Sequence, residues 1–108
     1  MPDVNASNYP ADARQYAAAT ERNRDPILAV LRQVLPTAGT VLEIASGTGQ
    51  HAAYFAPQLA PRYWLPSDPQ PQCRASIAAW RDAAVTPYLR SPVAIDAANP
   101  PWELSVSP

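Results

Sequence analysis

Three short runs, at 40–45, 62–66 and 92–95, are rich in β-branched, aromatic and apolar residues, and stretches with helical spacing separate them. No other feature constrains the fold as much. A strand, a helix and a second strand in succession pair in parallel through a right-handed crossover. The expected order is helix first, then strand and helix in alternation, ending on a third strand. That is a partial, three-layer Rossmann-like (doubly wound) α/β sheet, with parallel strands in spatial order 3-2-1 and flanking helices.

Local signals place the elements. Fourteen prolines and three glycines among 108 residues fall short of the roughly 25–30% of a disordered chain, and the prolines sit mostly between periodic segments. Residues 1–10 read as a flexible polar arm, 11–108 as one α/β unit, and Ala11–Thr20 as a short helix. Asp25-Pro26 predicts the start of the next helix, because Asp accepts from a first-turn N–H and proline at the first helical position loses nothing. Ile27, Leu28, Leu31, Val34 and Leu35 form its apolar stripe, and Pro36 ends it. Thr40–Ala45 reads as a strand buried on both faces, and Gln50–Leu59 as a helix shortened or kinked by Pro57. Strand two follows at Arg62–Pro66, then a helix over Pro69–Ala84 with Cys73, Ile77, Trp80 and Ala84 on one face. Pro92–Ile95 reads as strand three, and Ala97–Pro108 as no element. Trp64 and Trp80 are expected in the core; Trp102 has no assigned place.

Eight basic against nine acidic side chains leave a net charge of −1, which argues against a partner held by phosphate neutralisation. A single cysteine excludes an internal disulfide and a multi-cysteine metal site, and no metal is expected. Met1–Asn5 has no signal-peptide character, and no apolar run approaches the roughly 20 residues that cross a bilayer. A soluble cytoplasmic protein is expected, with no membrane partner.

The chemistry concentrates in Glu43-Ile-Ala-Ser-Gly-Thr-Gly-Gln-His51. Glycine lets a backbone approach a ligand closely, and a helix starting just after the loop offers free N–H groups. The plainest reading is a tight strand-to-helix turn that binds nothing, in an α/β fragment made for interaction only. Gly47-Thr-Gly49-Gln-His-Ala52 also satisfies the dinucleotide fingerprint G-x-G-x-x-G/A, with Asp68 downstream, which would make this the NAD(P)-binding half of an oxidoreductase. Glu43 weighs against that alternative. A carboxylate in an apolar strand is costly unless paired or placed at a site, and one beside a pyrophosphate repels it. A cationic amine or sulfonium ligand suits it better.

Val41-Leu-Glu-Ile-Ala-Ser-Gly-Thr-Gly49 resembles the first motif, hh(D/E)hGxGxG, of the class I S-adenosylmethionine-dependent methyltransferases. With Glu21–Leu28, Val41–His51 and Trp64–Asp68, the chain is most similar to a bacterial and eukaryotic family of methyltransferase-like proteins of unknown function, over residues 10–100. The resemblance implies S-adenosylmethionine as cofactor. The backbone of Ala45, Ser46, Gly47, Thr48 and Gly49 would wrap its methionine part, with Glu43 beneath. Asp68 would accept from both ribose hydroxyls, and Asp96, with the backbone of Ala97, would face the adenine. Arg22 and Asn23 would help close the pocket. Ala45 replaces the superfamily's first glycine, which is tolerable at negative φ.

Local alternatives remain open for these residues. Asp68 can cap the following helix, Asp96 can be a turn acid, His51 reads as structural, and Cys73 as packed rather than reactive. In the resembled superfamily, a fourth strand and its loop face the reacting methyl group. Nothing here supplies an acid, a base or a substrate-orienting group for transfer, so the catalytic residues and the methyl acceptor stay unassigned. The expectation is a truncated methyltransferase half, inactive alone, with an unpaired hydrogen-bonding edge on Val41–Ile44 through which copies can associate.

Overall fold

The computed structural model of the protein describes residues 13–101. The arm expected at 1–10 and Trp102 lie outside the described residues. The elements run α1 (Ala18–Val34), β1 (Thr40–Glu43), α2 (Gln50–Gln58), β2 (Tyr63–Pro66) and α3 (Pro71–Ala84). The expected mixed α/β class is present, and β1 pairs with β2 in parallel, Thr40 opposite Tyr63 and Glu43 opposite Pro66. Among the described residues no helix is long and apolar enough to cross a membrane.

The segment expected as strand three is not a continuous strand. It touches β2 through two isolated parallel bridges, Trp64 to Leu89 and Ser67 to Val93. Trp64 N–H donates to Tyr88 O at 2.7 Å, and Arg90 N–H donates to Trp64 O at 2.8 Å. A parallel ladder would next use the N–H of residue 66 and then that of residue 92, and both are prolines. Val93 instead donates to Pro66 O one residue further on, and Asp68 N–H donates back to Val93 O, each at 3.1 Å. Two missing donors force the slip and interrupt the strand.

The helix start expected at Asp25-Pro26 also moves. α1 begins at Ala18, and Pro26 lies inside it. An interior proline costs about 3 kcal/mol, so something else must set the boundary. Residues 13–17 have no regular secondary structure and are tied down: Gln15 N–H donates to Ser76 Oγ at 2.7 Å, Trp80 Nε1–H donates to Gln15 O at 2.9 Å, and Ala17 N–H donates to Gln50 Oε1. Of the helix expected over Ala11–Thr20, residues 11–12 lie outside the described residues, 13–17 are not helical, and Ala18–Thr20 form the first turn of α1. Asp25 caps nothing, its carboxylate accepting the Tyr54 hydroxyl instead.

The core forms where α1 and α2 cover the sheet. Ala52, Phe55, Ala56 and Leu59, at helical spacing, bury one face of α2 against Leu28, Trp64 and Leu89. Phe55 sits 5.7 Å from the Trp64 ring and 5.8 Å from Tyr54. Trp64 is therefore core, as expected, whereas Trp80 is half-buried on α3 against Tyr16 and Gln15. Its role is to hold the segment before α1.

β1 is also less buried than expected: Val41, Leu42 and Glu43 are half-buried and Ile44 is exposed. Among the described residues no strand pairs with its outer edge. Along that edge lies a cavity of about 300 Å³ lined by Ile27, Leu31, Val41, Leu42, Phe55 and Trp64, together with Glu43 and His51.

α2 meets α3 at Gly49, whose φ is +91°, and a Cβ there would lie 2.8 Å from Ile77 Cα. Gly49→Ala adds a backbone clash to a left-handed conformation and should cost about 2–4 kcal/mol in urea unfolding. Gly47→Ala, with open space at its Cβ position, should cost only about 1 kcal/mol. Equal losses for the two variants would refute the packing argument.

Candidate functional site

The chain between β1 and α2 turns through left-handed conformations at alternate residues. Ala45 has φ +56°, Gly47 +64° and Gly49 +91°. Ala45 therefore does not have the negative φ at which an alanine is readily tolerated, and the cause is its neighbour. Ser46 N–H donates to Ser67 O at 2.7 Å, while Ser46 Oγ accepts from Ser67 N–H at 2.9 Å. Ser67 Oγ–H completes the junction by donating to Glu43 O at 2.6 Å. With residue 46 locked to the end of β2, Ala45 must turn left-handed, at roughly 1–2 kcal/mol for a residue with a Cβ.

Asp68 is buried directly after β2. Its Oδ2 accepts from Gly47 N–H and its Oδ1 from Gln70 N–H, each at 3.0 Å. The carboxylate therefore braces the glycine loop and satisfies a donor at the start of α3. The N-cap itself is Gln70 and α3 has no side-chain cap, so Asp68 makes a turn bond just ahead of the helix rather than capping it. A carboxylate offers about four acceptor positions; Gly47 and Gln70 take two, and the Cys73 thiol bonds to the same group. Burial, reinforced by Asp68, pushes the Cys73 thiol above its ordinary value of 9.0.

Glu43 Oε1 accepts from Trp64 Nε1–H at 3.1 Å. That indole partner on the adjacent strand explains how a carboxylate fits an otherwise apolar β1. Two acidic side chains therefore flank the loop, Glu43 at the end of β1 and Asp68 at the end of β2. Asn23 Oδ1 lies 3.2 Å from His51 Nε2, and the imidazole stacks on Phe55 at 5.0 Å. Asn23 thus joins the start of α2, His51 has the structural setting expected of it, and Arg22 is exposed on α1.

Asp96 and Ala97 are exposed in the turn after the third segment. Asp96 Oδ1 accepts from Ala98 N–H at 3.0 Å and Oδ2 from Asn99 Nδ2–H at 2.6 Å. These are the bonds of a turn acid. Three residues of the site escaped sequence reasoning: Ser67, Ser76 and Gln50. Their signal is weak, since a serine or glutamine beside a loop declares itself only when the fold supplies its partner.

The site is thus a glycine-punctuated strand-to-helix loop, braced by the Asp68 carboxylate, in a mixed α/β chain. Residues 14–107 match a family described as "Protein of unknown function (DUF938)", and the chain belongs to that family. No solved structure matches it.

Two predictions follow from the loop and its brace. Ala45→Gly relieves the left-handed strain and should be neutral to stabilising by up to about 1 kcal/mol in urea unfolding, where glycine usually destabilises. Asp68→Asn removes a neighbouring anion that disfavours the thiolate. The pH midpoint of Cys73 alkylation should fall, and the rate at neutral pH should rise; an unchanged profile would remove Asp68 as a cause.

Proposed function

We propose that this chain carries the S-adenosylmethionine-binding part of a class I methyltransferase. One observation carries the reading: the three glycine positions of the resembled motif, 45, 47 and 49, all have positive φ. The most dissimilar residue, Ala45, adopts the backbone that a glycine would favour there. In this reading the 89–95 segment is the third strand position of a doubly wound sheet, ordered 3-2-1, with its ladder interrupted by Pro66 and Pro92.

The residues present suit the cofactor. Nothing lies within 4 Å of where a Gly47 Cβ would stand, so the loop has an open face. The backbone of Ala45–Gly49 would hold the methionine part there, with Glu43 as the acidic group that suits a cationic sulfonium. Asp68, already oriented by Gly47 and Gln70, would accept from the ribose hydroxyls with its remaining lone pairs. Asp96 and Ala97 would hold the adenine, and Arg22 and Asn23 would help close the site from α1. When bound, the cofactor supplies an electrophilic methyl group, while the protein supplies position and electrostatics. A reducing, cytoplasmic setting fits the lone Cys73, held as a thiol by burial and Asp68. The open edge of β1 is where a second copy would pair.

Titration calorimetry with S-adenosylhomocysteine and with NAD separates the readings. Saturable binding of the first is expected, weakened roughly 10–100-fold in Asp68→Ala through loss of charge-assisted hydrogen bonds. Binding of NAD alone, or of neither compound, would overturn the proposal.

A further inference from the structure

We propose that segment 13–17, which precedes α1, and the glycine loop form one coupled unit, with Ser76 as the positioning residue between them. This rests on reading the loop as a ligand site. Ser76, fully buried on α3, accepts from Gln15 N–H at 2.7 Å and donates its own hydroxyl to Thr48 O at 2.5 Å. Thr48 stands between Gly47 and Gly49, so its peptide has the freest rotation in the loop, and the Ser76 hydroxyl holds its carbonyl.

A second tie runs beside the first. Ala17 N–H donates to Oε1 of Gln50, the first residue of α2. Both backbone groups of Gln15 are also used, since its carbonyl accepts from Trp80 Nε1–H at 2.9 Å. A serine hydroxyl has one proton, and aiming it at Thr48 leaves its lone pairs for Gln15, so each bond polarises the other. Docking of the segment and the orientation of the Thr48 peptide are thus set together. Because coupling is reciprocal, a ligand that needs the loop in this arrangement tightens the segment, and the docked segment tightens the ligand by the same factor.

Trypsin reads docking directly, since cleavage of the Arg14–Gln15 bond requires the segment to lift. S-adenosylhomocysteine reads the loop. In the full chain, saturating S-adenosylhomocysteine should slow that cleavage about fivefold or more. Ser76→Ala should speed cleavage and weaken the ligand by a similar factor. Because Ser76→Ala opens a buried site and risks misfolding, Gln50→Met provides a second variant, removing the acceptor for Ala17 without touching Thr48. It should weaken the ligand as well, whereas Gln50→Glu, which keeps the acceptor, should restore affinity. A ligand that leaves cleavage unchanged, or a Gln50→Met variant that changes cleavage but not affinity, would overturn the coupling. If S-adenosylhomocysteine does not bind the unaltered chain, the cofactor reading fails, and amide exchange at Gly49 decides the coupling separately. Faster exchange in Gln50→Met sustains it; unchanged exchange refutes it.

Discussion

The junction of the two strand ends governs this structure. Glu43, Ser46 and Ser67 exchange three hydrogen bonds between the ends of β1 and β2, and Asp68 adds a fourth to Gly47. A buried carboxylate bonded to backbone N–H groups is among the stronger neutral-partner arrangements, because one member is charged. With this junction in place, the loop has one path. Ala45 turns left-handed, Gly49 meets Ile77, and α2 starts where its apolar face can reach Trp64 and Leu28. Loss of the junction would free the loop and the register of α2 together.

Proline donors supply the second constraint. Pro66 sits in a strand flanked on both sides, a position that proline usually avoids because it cannot donate to a ladder. Here its carbonyl still accepts from Val93, while the missing N–H and that of Pro92 break the third strand into two bridges. Pro26 shows the opposite outcome. α1 continues through it because the chain ahead is held by bonds to Ser76, Gln50 and Trp80. The same residue type thus interrupts one element and is absorbed in another, according to whether tertiary contacts compensate for the missing donor.

Much of this was legible in residue order. The periodicity of Ala52, Phe55, Ala56 and Leu59 identified α2 and its buried face, and the crossover lengths implied parallel pairing. Asp68 was singled out both as a site acid and as a possible helix cap; its carboxylate bonds to Gly47 in the loop and to Gln70 just before α3, without capping that helix. Glu43 was recognised as an anomaly in an apolar strand. Its partner Trp64 was not, because the partner lies on the neighbouring strand and depends on register. Ser67, Ser76 and Gln50 were invisible for a related reason: each acts by meeting a backbone group distant in sequence.

Local chemistry alone therefore determined the element types, the parallel sheet and the position of the glycine loop, since spacing, turn residues and crossover length act within a few turns of chain. Tertiary structure decided where α1 begins, whether the third segment completes a ladder, and which φ Ala45 must adopt. Those outcomes depend on donors and acceptors 20 or more residues apart: Ser46 with Ser67, Gly47 with Asp68, Gln15 with Ser76. Only the folded chain brings them within hydrogen-bonding distance.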